Sequence, residues 1–305
     1  MKIITFLCVL SLIGFVFGEN KTDIKPVVIW HGMGDSCCFP FSMGRIKKLI
    51  EREVPGIYVL SLQIGDSIPS DVENGYFMLV KKQLEIAHDL IVNDPKLKNG
   101  FNSLGFSQGG LFLRALAQKY SSPAMYNLIS MGGPQQGVYG IPNCGSVAHE
   151  TCNYIRKLLN YAAYKSSFIF RRWVQNYLVQ ATYWHDPLNE KEYRKGSIFL
   201  ADINNENVVN QTYINNLQKL NKFVMVRFEN DTTVQPRDTE WFYWYKPGQA
   251  VEVQKLQDTY LYEEDRLGLK YMDEQKKLVF LETPGDHLQF TDDWFVENII
   301  NKYFK

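Results

Sequence analysis

The apolar residues of this chain change their spacing repeatedly, and each change predicts a different element. Residues 26–30 form an uninterrupted apolar run, which is typical of a buried parallel strand. Residues 42–53 instead carry apolar side chains on one side and lysines opposite, which predicts an amphipathic helix. Further strands are predicted at residues 57–62, 101–106, 126–131, 223–228 and 278–281, and further helices at 74–92, 111–120 and 293–303. Alternating strands and helices predict an α/β fold whose mostly parallel central sheet has helices on both faces.

Strand patterns become rare between about residues 137 and 218. Helical stretches rich in Tyr, Phe and Trp replace them, at residues 154–164 and 168–182. No linker-like composition separates this part from the segments around it. We therefore predict a single α/β domain over residues 19–305, with a helical cap insertion at about residues 137–218.

The first residues of the chain have the pattern of a targeting segment. Lys2 precedes an apolar run over residues 3–17, and Gly18 is followed by polar residues. This pattern predicts a secretory signal peptide, residues 1–18, cleaved after Gly18. The run is shorter than the roughly 20 residues that a membrane-spanning helix needs, and no later apolar stretch is longer. We therefore predict no transmembrane anchor.

Composition and charge exclude some classes of function. The 33 basic residues balance 33 acidic ones, which argues against nucleic acid as a partner because phosphate contacts need a clustered basic excess. Neither a phosphate-binding loop nor a set of metal ligands at the usual spacing is present, so we predict no cofactor and no metal. We expect a monomer.

Four cysteines remain after removal of the predicted signal peptide, an even number that suggests disulfides in an oxidising compartment. Cys144 and Cys152 would close a short loop. Cys37 and Cys38 are adjacent, and a trans peptide holds their Cα atoms about 3.8 Å apart, below the usual disulfide range. A strained vicinal bridge, a crosslink of the Cys37–Cys144 type and two free thiols all remain open.

Three sequons fit an exported protein. They begin at Asn20, Asn210 and Asn230. The tripeptide also occurs by chance, but we expect at least one glycan in a chain that carries a signal peptide.

The segment from Gly105 to Gly109 carries the strongest chemical signal. It reads Gly-Phe-Ser-Gln-Gly and matches G-x-S-x-G between a predicted strand and a predicted helix. The sharp turn strains the serine backbone and brings the flanking backbones together, so that both end positions must lack side-chain bulk. We predict that Ser107 is a nucleophile raised above the sheet edge.

A serine hydroxyl needs a base that takes its proton and an acid that orients the base. The histidines after Ser107 are His149, His185 and His287. His287 follows the last predicted strand, where this fold presents its base, whereas the other two lie in the predicted cap. We therefore predict His287 as the base.

The acid is predicted from the end of the preceding strand. Asp231 follows the strand at residues 223–228, which makes it the preferred candidate over Asp238 and Asp202. It would hold the tautomer of the base and stabilise the imidazolium. We expect Asp286 to be a turn-forming residue, because its side chain diverges from that of its neighbour.

Two backbone donors are expected for the oxyanion of the tetrahedral intermediate, each contributing about 3 kcal/mol. The N–H of Gln108 is one, by the geometry of the turn. The second should come from the turn after the first strand, where Met33 lies. His31, in the same turn, is expected to be structural and not a second base.

Five segments together resemble the palmitoyl-protein thioesterase family. They are residues 28–38, 105–110, 183–187, 199–204 and 285–289, in the same order over essentially the whole predicted mature chain. The resemblance implies an α/β-hydrolase fold and a lysosomal enzyme that removes long fatty acyl groups from S-acylated cysteines. It assigns nucleophile, acid and base to Ser107, Asp231 and His287, and the oxyanion donors to Met33 and Gln108.

The resemblance also bears on the crosslinks. It implies a Cys37–Cys38 bridge and a Cys144–Cys152 pair. Family members carry a further cysteine pair where this chain has His88 and Tyr120, so that one crosslink is in doubt.

The residues alone support acyl transfer to water but do not identify the leaving group. The aromatic cap suits a long acyl chain, because each buried methylene contributes about 0.8 kcal/mol. Candidates for lining a groove are Phe168, Phe170, Trp173, Tyr177 and Leu178, which could equally be packing between cap and sheet. The alternatives are a secreted lipase or carboxylesterase that acts on oxygen esters, and a non-catalytic lipid carrier.

Overall fold

The computed structural model describes residues 24–140, 161–165 and 174–305. Within them the main sheet has six strands, all parallel, in the order β2-β1-β3-β4-β5-β8. The strands of this sheet are β1 (Val27–Trp30), β2 (Val59–Ser61), β3 (Phe101–Phe106), β4 (Met125–Met131), β5 (Lys222–Phe228) and β8 (Leu278–Thr283). A separate antiparallel pair consists of β6 (Trp244–Tyr245) and β7 (Val253–Gln254). The predicted parallel central sheet is confirmed.

Helices flank the sheet on both faces. Those described are α1 (Met43–Glu53), α2 (Ile68–Phe77), α3 (Val80–Val92), α4 (Gln108–Lys119), α5 (Val179–Thr182), α6 (Glu190–Gly196), α7 (Leu200–Ile203), α8 (Gln211–Leu217), α9 (Tyr260–Glu263), α10 (Leu269–Glu274), α11 (Asp292–Phe295) and α12 (Asn301–Tyr303). Alternate residues of β1 enter different cores. Val28 and Trp30 belong to the core with α3 and α4, whereas Val27 and Ile29 belong to the core with α1 and the C-terminal helices.

One long helix was predicted over residues 74–92, and this prediction is wrong. The chain forms two helices, and the first begins earlier because the Ser67 side chain accepts an N–H in its first turn. The break lies at Met78 and Leu79, whose ψ angles of 130° and 126° are extended. The buried Gln83 amide donates to the Met78 carbonyl at 2.7 Å, which satisfies a group that the break releases from helical pairing.

The predicted cap insertion is described only in part. Residues 161–165 form a π-helical turn, and α5 to α8 follow between residues 179 and 217. The predicted helix at 154–164 lies mostly outside the described residues, as does the first part of the one at 168–182. In the described part, no helix is both long and apolar enough to cross a membrane.

Helix α4 anchors this helical region to the sheet through Arg114. The guanidinium is fully buried and donates to the Gln135 carbonyl at 2.9 Å and to the Asn204 side chain at 2.8 Å. Burial lowers the pKa of Arg114 to about 9. Because the same helix begins beside Ser107, this contact couples the helical region to the site described next.

Candidate active site

Ser107 lies in the turn between β3 and α4. Its φ of 52° and ψ of −122° form a strained conformation that a non-glycine residue adopts only when its surroundings hold it there. Its N–H donates to the carbonyl of Met131, the last residue of β4, at 2.8 Å. The strained turn and the bond to β4 together place Ser107 at the carboxyl end of the sheet.

The flanking glycines are required by close backbone contacts. A Cβ on Gly105 would lie 2.5 Å from the Cα of Gly110. A Cβ on Gly109 would overlap the carbonyl oxygens of Trp30 and His31 at the end of β1. Both positions lack the space for a methyl group, as the sequence pattern indicates.

The structure brings Ser107, His287 and Asp231 together. The hydroxyl of Ser107 lies 2.9 Å from Nε2 of His287, although 180 positions separate the two residues. On the other side of the ring, Nδ1 of His287 donates to Asp231 Oδ2 at 2.5 Å. Asp231 and His287 follow the neighbouring strands β5 and β8, whose parallel pairing puts both loops at one edge of the sheet.

The environment of Asp231 favours its ionised form. Burial opposes ionisation, but the hydrogen bond from His287, the neighbouring Glu240 carboxyl group and the charge of His287 hold the pKa of Asp231 below its ordinary value. Its Oδ1 accepts the N–H groups of Thr233 and Val234, both at 2.7 Å. The carboxylate is thus fixed in one orientation, with Oδ2 toward the imidazole.

The rival candidates lie in other contacts. Asp202 pairs with Lys119 at 2.6 Å, and Asp238 pairs with Arg227. His185 is buried, and its Nε2 lies 3.1 Å from Glu190.

The predictions for Asp286 and His149 have different outcomes. Asp286 is a turn residue, as expected: it accepts the backbone N–H groups of Thr232 at 2.8 Å and of His287 at 2.7 Å. His149 lies outside the described residues.

Met33 and Gln108 both line the cavity that Ser107 faces. The side chain of Gln108 points elsewhere: its amide donates to Gly75 O, and its oxygen accepts the Tyr183 hydroxyl, each at 3.0 Å. Its backbone N–H stands at the start of α4, which contributes a partial positive charge. A Cβ on Gly32, the residue before Met33, would lie 3.2 Å from Ser107 Cβ, so this turn packs directly against the serine.

His31 fixes the orientation of the peptide bond between Gly32 and Met33. Its Nδ1 lies 2.8 Å from the Gly32 carbonyl, and its Nε2 lies 3.0 Å from Asp71 Oδ1. Both partners are acceptors, so both ring nitrogens donate and the imidazole is protonated. In a trans peptide the N–H points opposite to the C=O. The bond to Gly32 therefore turns the Met33 N–H away from His31.

Asp71 is fully buried and accepts several hydrogen bonds. It accepts the Ser36 hydroxyl at 2.8 Å and the N–H groups of Cys37 and Ile64 at 2.9 and 2.7 Å. Burial opposes its ionisation, but the hydrogen bond and charge of His31 lower the pKa of Asp71. Burial likewise opposes protonation of His31, but Asp71 and the Gly32 carbonyl raise the pKa of His31.

We predict that Asp71→Asn lowers the free energy of unfolding by about 3–5 kcal/mol near pH 5, because it leaves a buried imidazolium unpaired. The lowered pKa of Asp71 contributes stability above the unfolded value, and this contribution is lost as pH falls through the folded pKa. The raised pKa of His31 contributes stability below the unfolded value, and it is lost as pH rises through the folded pKa. The pair therefore stabilises the fold most between about pH 4 and 6.5.

Urea unfolding of both proteins at pH 5 and at pH 9 measures this difference. The difference in the free energy of unfolding between wild type and Asp71→Asn should be smaller at pH 9 than at pH 5. Asp66→Asn, at an exposed residue just before α2, serves as the matched control. An equal difference in the free energy of unfolding at both pH values would contradict an ion pair between His31 and Asp71.

An apolar cavity of about 210 Å³ extends from Ser107. Side chains from α5, from the residue before it and from the segment after β4 line it, among them Ala181, Leu178 and Val138. Of the predicted groove residues, Leu178 lines this cavity, whereas Tyr177 is 58% exposed. Phe168, Phe170 and Trp173 lie outside the described residues.

The structure describes two of the four cysteines that follow the predicted signal peptide and two of the three sequons. Cys37 and Cys38 form a disulfide, the vicinal bridge among the alternatives. Asn210 and Asn230 are exposed. Cys144, Cys152, Asn20 and the predicted signal peptide lie outside the described residues. At the two positions where family members carry the further cysteine pair, this chain has His88 and Tyr120. Their rings stack with the centroids 3.8 Å apart.

Sequence reasoning missed two buried carboxyl groups at this site, Asp71 and Glu240. Glu240 precedes Trp241 and Phe242, and an acid next to aromatic residues is a weak signal of burial. Asp71 gave no comparable signal, because its partner His31 is 40 positions away.

Comparison with known proteins bears on the same residues. A model of the family described as palmitoyl protein thioesterase matches residues 26–287, a span that contains Ser107, Asp231 and His287. Palmitoyl-protein thioesterase 1 of Caenorhabditis elegans is 48% identical over 98% of this chain and 97% of its own length.

Two more distant relatives agree with this match. Palmitoyl-protein thioesterase 3 of Dictyostelium discoideum is 38% identical over 92% of this chain and 89% of its own. A lysosomal thioesterase PPT2 homolog of Drosophila melanogaster is 28% identical over 86% and 85%. With a family match that extends over most of its length, this chain belongs to the palmitoyl protein thioesterase family and is a thioesterase of the serine hydrolase type.

Proposed function

We propose that this chain hydrolyses long-chain fatty acyl thioesters through an acyl-serine intermediate, with Ser107 as nucleophile, His287 as base and Asp231 as the acid that orients it. The observation that carries the proposal is the pair of hydrogen bonds through the imidazole, 2.9 Å to Ser107 and 2.5 Å to Asp231. Ser107 also lines an apolar cavity. Such a constellation activates a hydroxyl for acyl transfer.

In the proposed first half of the reaction, Ser107 Oγ attacks the thioester carbonyl while His287 Nε2 takes the hydroxyl proton. The carbonyl oxygen becomes an oxyanion, which the backbone N–H groups of Met33 and Gln108 stabilise. The C–S bond then breaks, the thiol sulfur receives the proton from His287, and the acyl group stays on Ser107. Asp231 stabilises the transient imidazolium.

In the second half, water attacks the acyl-serine ester and gives a proton to His287 Nε2. Collapse of the second tetrahedral intermediate releases the fatty acid, and the proton returns to Ser107 Oγ. Each step transfers one proton through the same nitrogen, so a single base serves both halves.

The substrates that we propose are S-palmitoylated cysteines in proteins or peptides. The apolar cavity suits a long alkyl chain, since each methylene moved out of water contributes about 0.8 kcal/mol. The names of the related thioesterases from C. elegans and D. discoideum support the palmitoyl group.

The substrate assignment is tested with a peptide that carries palmitate on cysteine and a matched peptide that carries it on serine. Release of free thiol and of fatty acid is followed for the first, and release of fatty acid for the second. We expect kcat/KM to be higher for the thioester. Faster turnover of the serine ester would instead support a lipase or carboxylesterase, and no turnover of either would support a lipid carrier.

Narrowing the cavity should discriminate between acyl chains. We predict that Ala181→Leu lowers kcat/KM for a palmitoyl thioester by about tenfold or more, because Ala181 is buried in the cavity lining and added methylenes displace the chain. The acetyl thioester should change less than about threefold. Val251→Leu, at a position that is 90% exposed, is the control. Equal losses for both substrates would contradict an acyl role for this cavity.

We also propose that the protein reaches the lysosome through the secretory pathway. The basic and apolar start of the chain, the Cys37–Cys38 disulfide and the exposed sequons at Asn210 and Asn230 support this proposal. The related protein from D. melanogaster is named a lysosomal thioesterase.

A further inference from the structure

A second carboxyl group lies against the proposed catalytic acid. Glu240 is 1% exposed and belongs to the 3₁₀ turn Arg237–Trp241, which follows the loop of Asp231. One oxygen of Glu240, one oxygen of Asp231 and one ring nitrogen of His287 all lie within 4.8 Å of one another. The mechanism proposed above gives Glu240 no part.

Two carboxyl groups buried within 4.8 Å of each other are not readily ionised together, because two negative charges in a nonpolar site repel strongly, and one of them keeps a proton. The donors around them show which group keeps it. Asp231 accepts from His287 and from two backbone N–H groups. Glu240 accepts at Oε2 from the N–H of Phe228, at 2.9 Å. Asp231 is therefore the better site for negative charge.

The other oxygen of Glu240 fits a protonated group. Within the described part of the chain, Glu240 Oε1 is buried and no donor hydrogen-bonds to it. The Asp231 carboxylate, one oxygen of which lies within 4.8 Å of a Glu240 oxygen, is the neighbouring acceptor for an O–H on Glu240. Burial and the neighbouring Asp231 raise the pKa of Glu240 well above its ordinary value.

Other charged groups do not replace this donor. The positive charge of Arg227 acts on Glu240, but its guanidinium engages Asp238 and Glu282. Arg237, in the same turn as Glu240, donates to the Glu229 carbonyl. Asp286 is half-buried in the His287 loop and accepts hydrogen bonds from Thr232. Among the described residues, the imidazole of His287 is the titratable group that lies within 4.8 Å of both carboxyl groups.

We propose that Glu240 is a positioning residue for thioester hydrolysis, a neutral acid that donates a hydrogen bond to the Asp231 carboxylate and keeps it directed at His287. This inference rests on the proposed function of Ser107, Asp231 and His287. The O–H restrains Asp231 and adds no second negative charge, which would hold the imidazole in its protonated form and prevent it from accepting the serine proton.

Glu240→Met and Glu240→Gln separate this role from packing. Methionine fills a similar volume but cannot donate, whereas the amide of glutamine can donate to Asp231 while its carbonyl accepts from Phe228. We expect Glu240→Met to lower kcat by about tenfold to a hundredfold, by analogy with the loss that follows removal of a partner that orients a metal-ligating side chain. Its kcat/KM profile should rise at higher pH, because an Asp231 without this donor holds the imidazolium more tightly. Glu240→Gln should restore both properties.

The measurements are kcat and kcat/KM for an S-palmitoyl peptide between pH 4 and 9, with urea unfolding of each variant. Wild-type rates and an unchanged pH profile in Glu240→Met overturn the inference. So does a profile in Glu240→Gln that rises at lower pH than the wild type, since it means that Glu240 is ionised. If Glu240→Met does not fold, the Gln profile still decides. Ser107→Ala in the same assay tests the proposed function separately, because residual turnover there contradicts that function whatever Glu240 does.

Discussion

Ser107→Ala should abolish release of palmitate from an S-palmitoyl peptide, with kcat lower by about 10⁴- to 10⁶-fold. The substitution removes the only atom that can form the acyl-enzyme in the proposed mechanism. Its Oγ bonds to His287 Nε2 at 2.9 Å, so the base then has no hydroxyl to deprotonate. The remaining turnover reflects oxyanion stabilisation and binding alone.

The fold should survive this change. Ser107 keeps its backbone bond to Met131, and we expect the free energy of unfolding to change by less than about 1 kcal/mol. Ser121→Ala, at an exposed serine after α4, is the matched control for activity. Detection of the acyl-serine by intact-protein mass spectrometry should give the added palmitoyl mass in the wild type and none in the variant. Unimpaired turnover in Ser107→Ala would exclude the whole mechanism.

Asp231→Asn is expected to lower kcat by about 10⁴-fold, the cost of holding a catalytic histidine in the wrong tautomer. Oδ1 of Asp231 accepts the N–H groups of Thr233 and Val234, so the carbonyl oxygen of asparagine keeps that position. Its NH₂ group then replaces Oδ2 and donates to Nδ1 of His287. The proton moves to Nε2, which can no longer accept the proton of Ser107.

Two measurements test this explanation. The ¹⁵N shifts of the His287 ring report which nitrogen carries the proton, and kcat reports the consequence for the reaction. Asp202→Asn is the control, because Asp202 is a rival acid that pairs with Lys119 at the surface. A loss below about tenfold, or an Nδ1 proton retained in Asp231→Asn, contradicts the assigned role.

The position of Ser107 in a strained turn between β3 and α4 was predictable because its signal is local. Residues 105–109 contain the turn, the two glycines and the serine, and the neighbouring apolar patterns identify the strand and the helix. His287 and Asp231 were predictable for a related reason. Each follows an apolar strand pattern, and parallel strands of one sheet end at the same edge.

Helix boundaries were less predictable. The apolar spacing continues through residues 74–92, yet the chain breaks at Met78 and Leu79. The side chain of Gln83 turns back to the carbonyl exposed at the break. Periodicity does not report such a capping contact, because it depends on the direction of a side chain and not on its polarity.

The order along the chain of the six strands of the main sheet, the serine turn and the family were determined by the sequence alone, because each is encoded in residues that are close together or in the order of motifs along the chain. The contacts of His31 with Asp71 and of Glu240 with Asp231 were decided only by the tertiary structure. A buried carboxyl group acquires its protonation state from the donors and charges packed around it, and these come from segments that are distant in sequence. That arrangement determines which acid orients the base and which one remains neutral beside it.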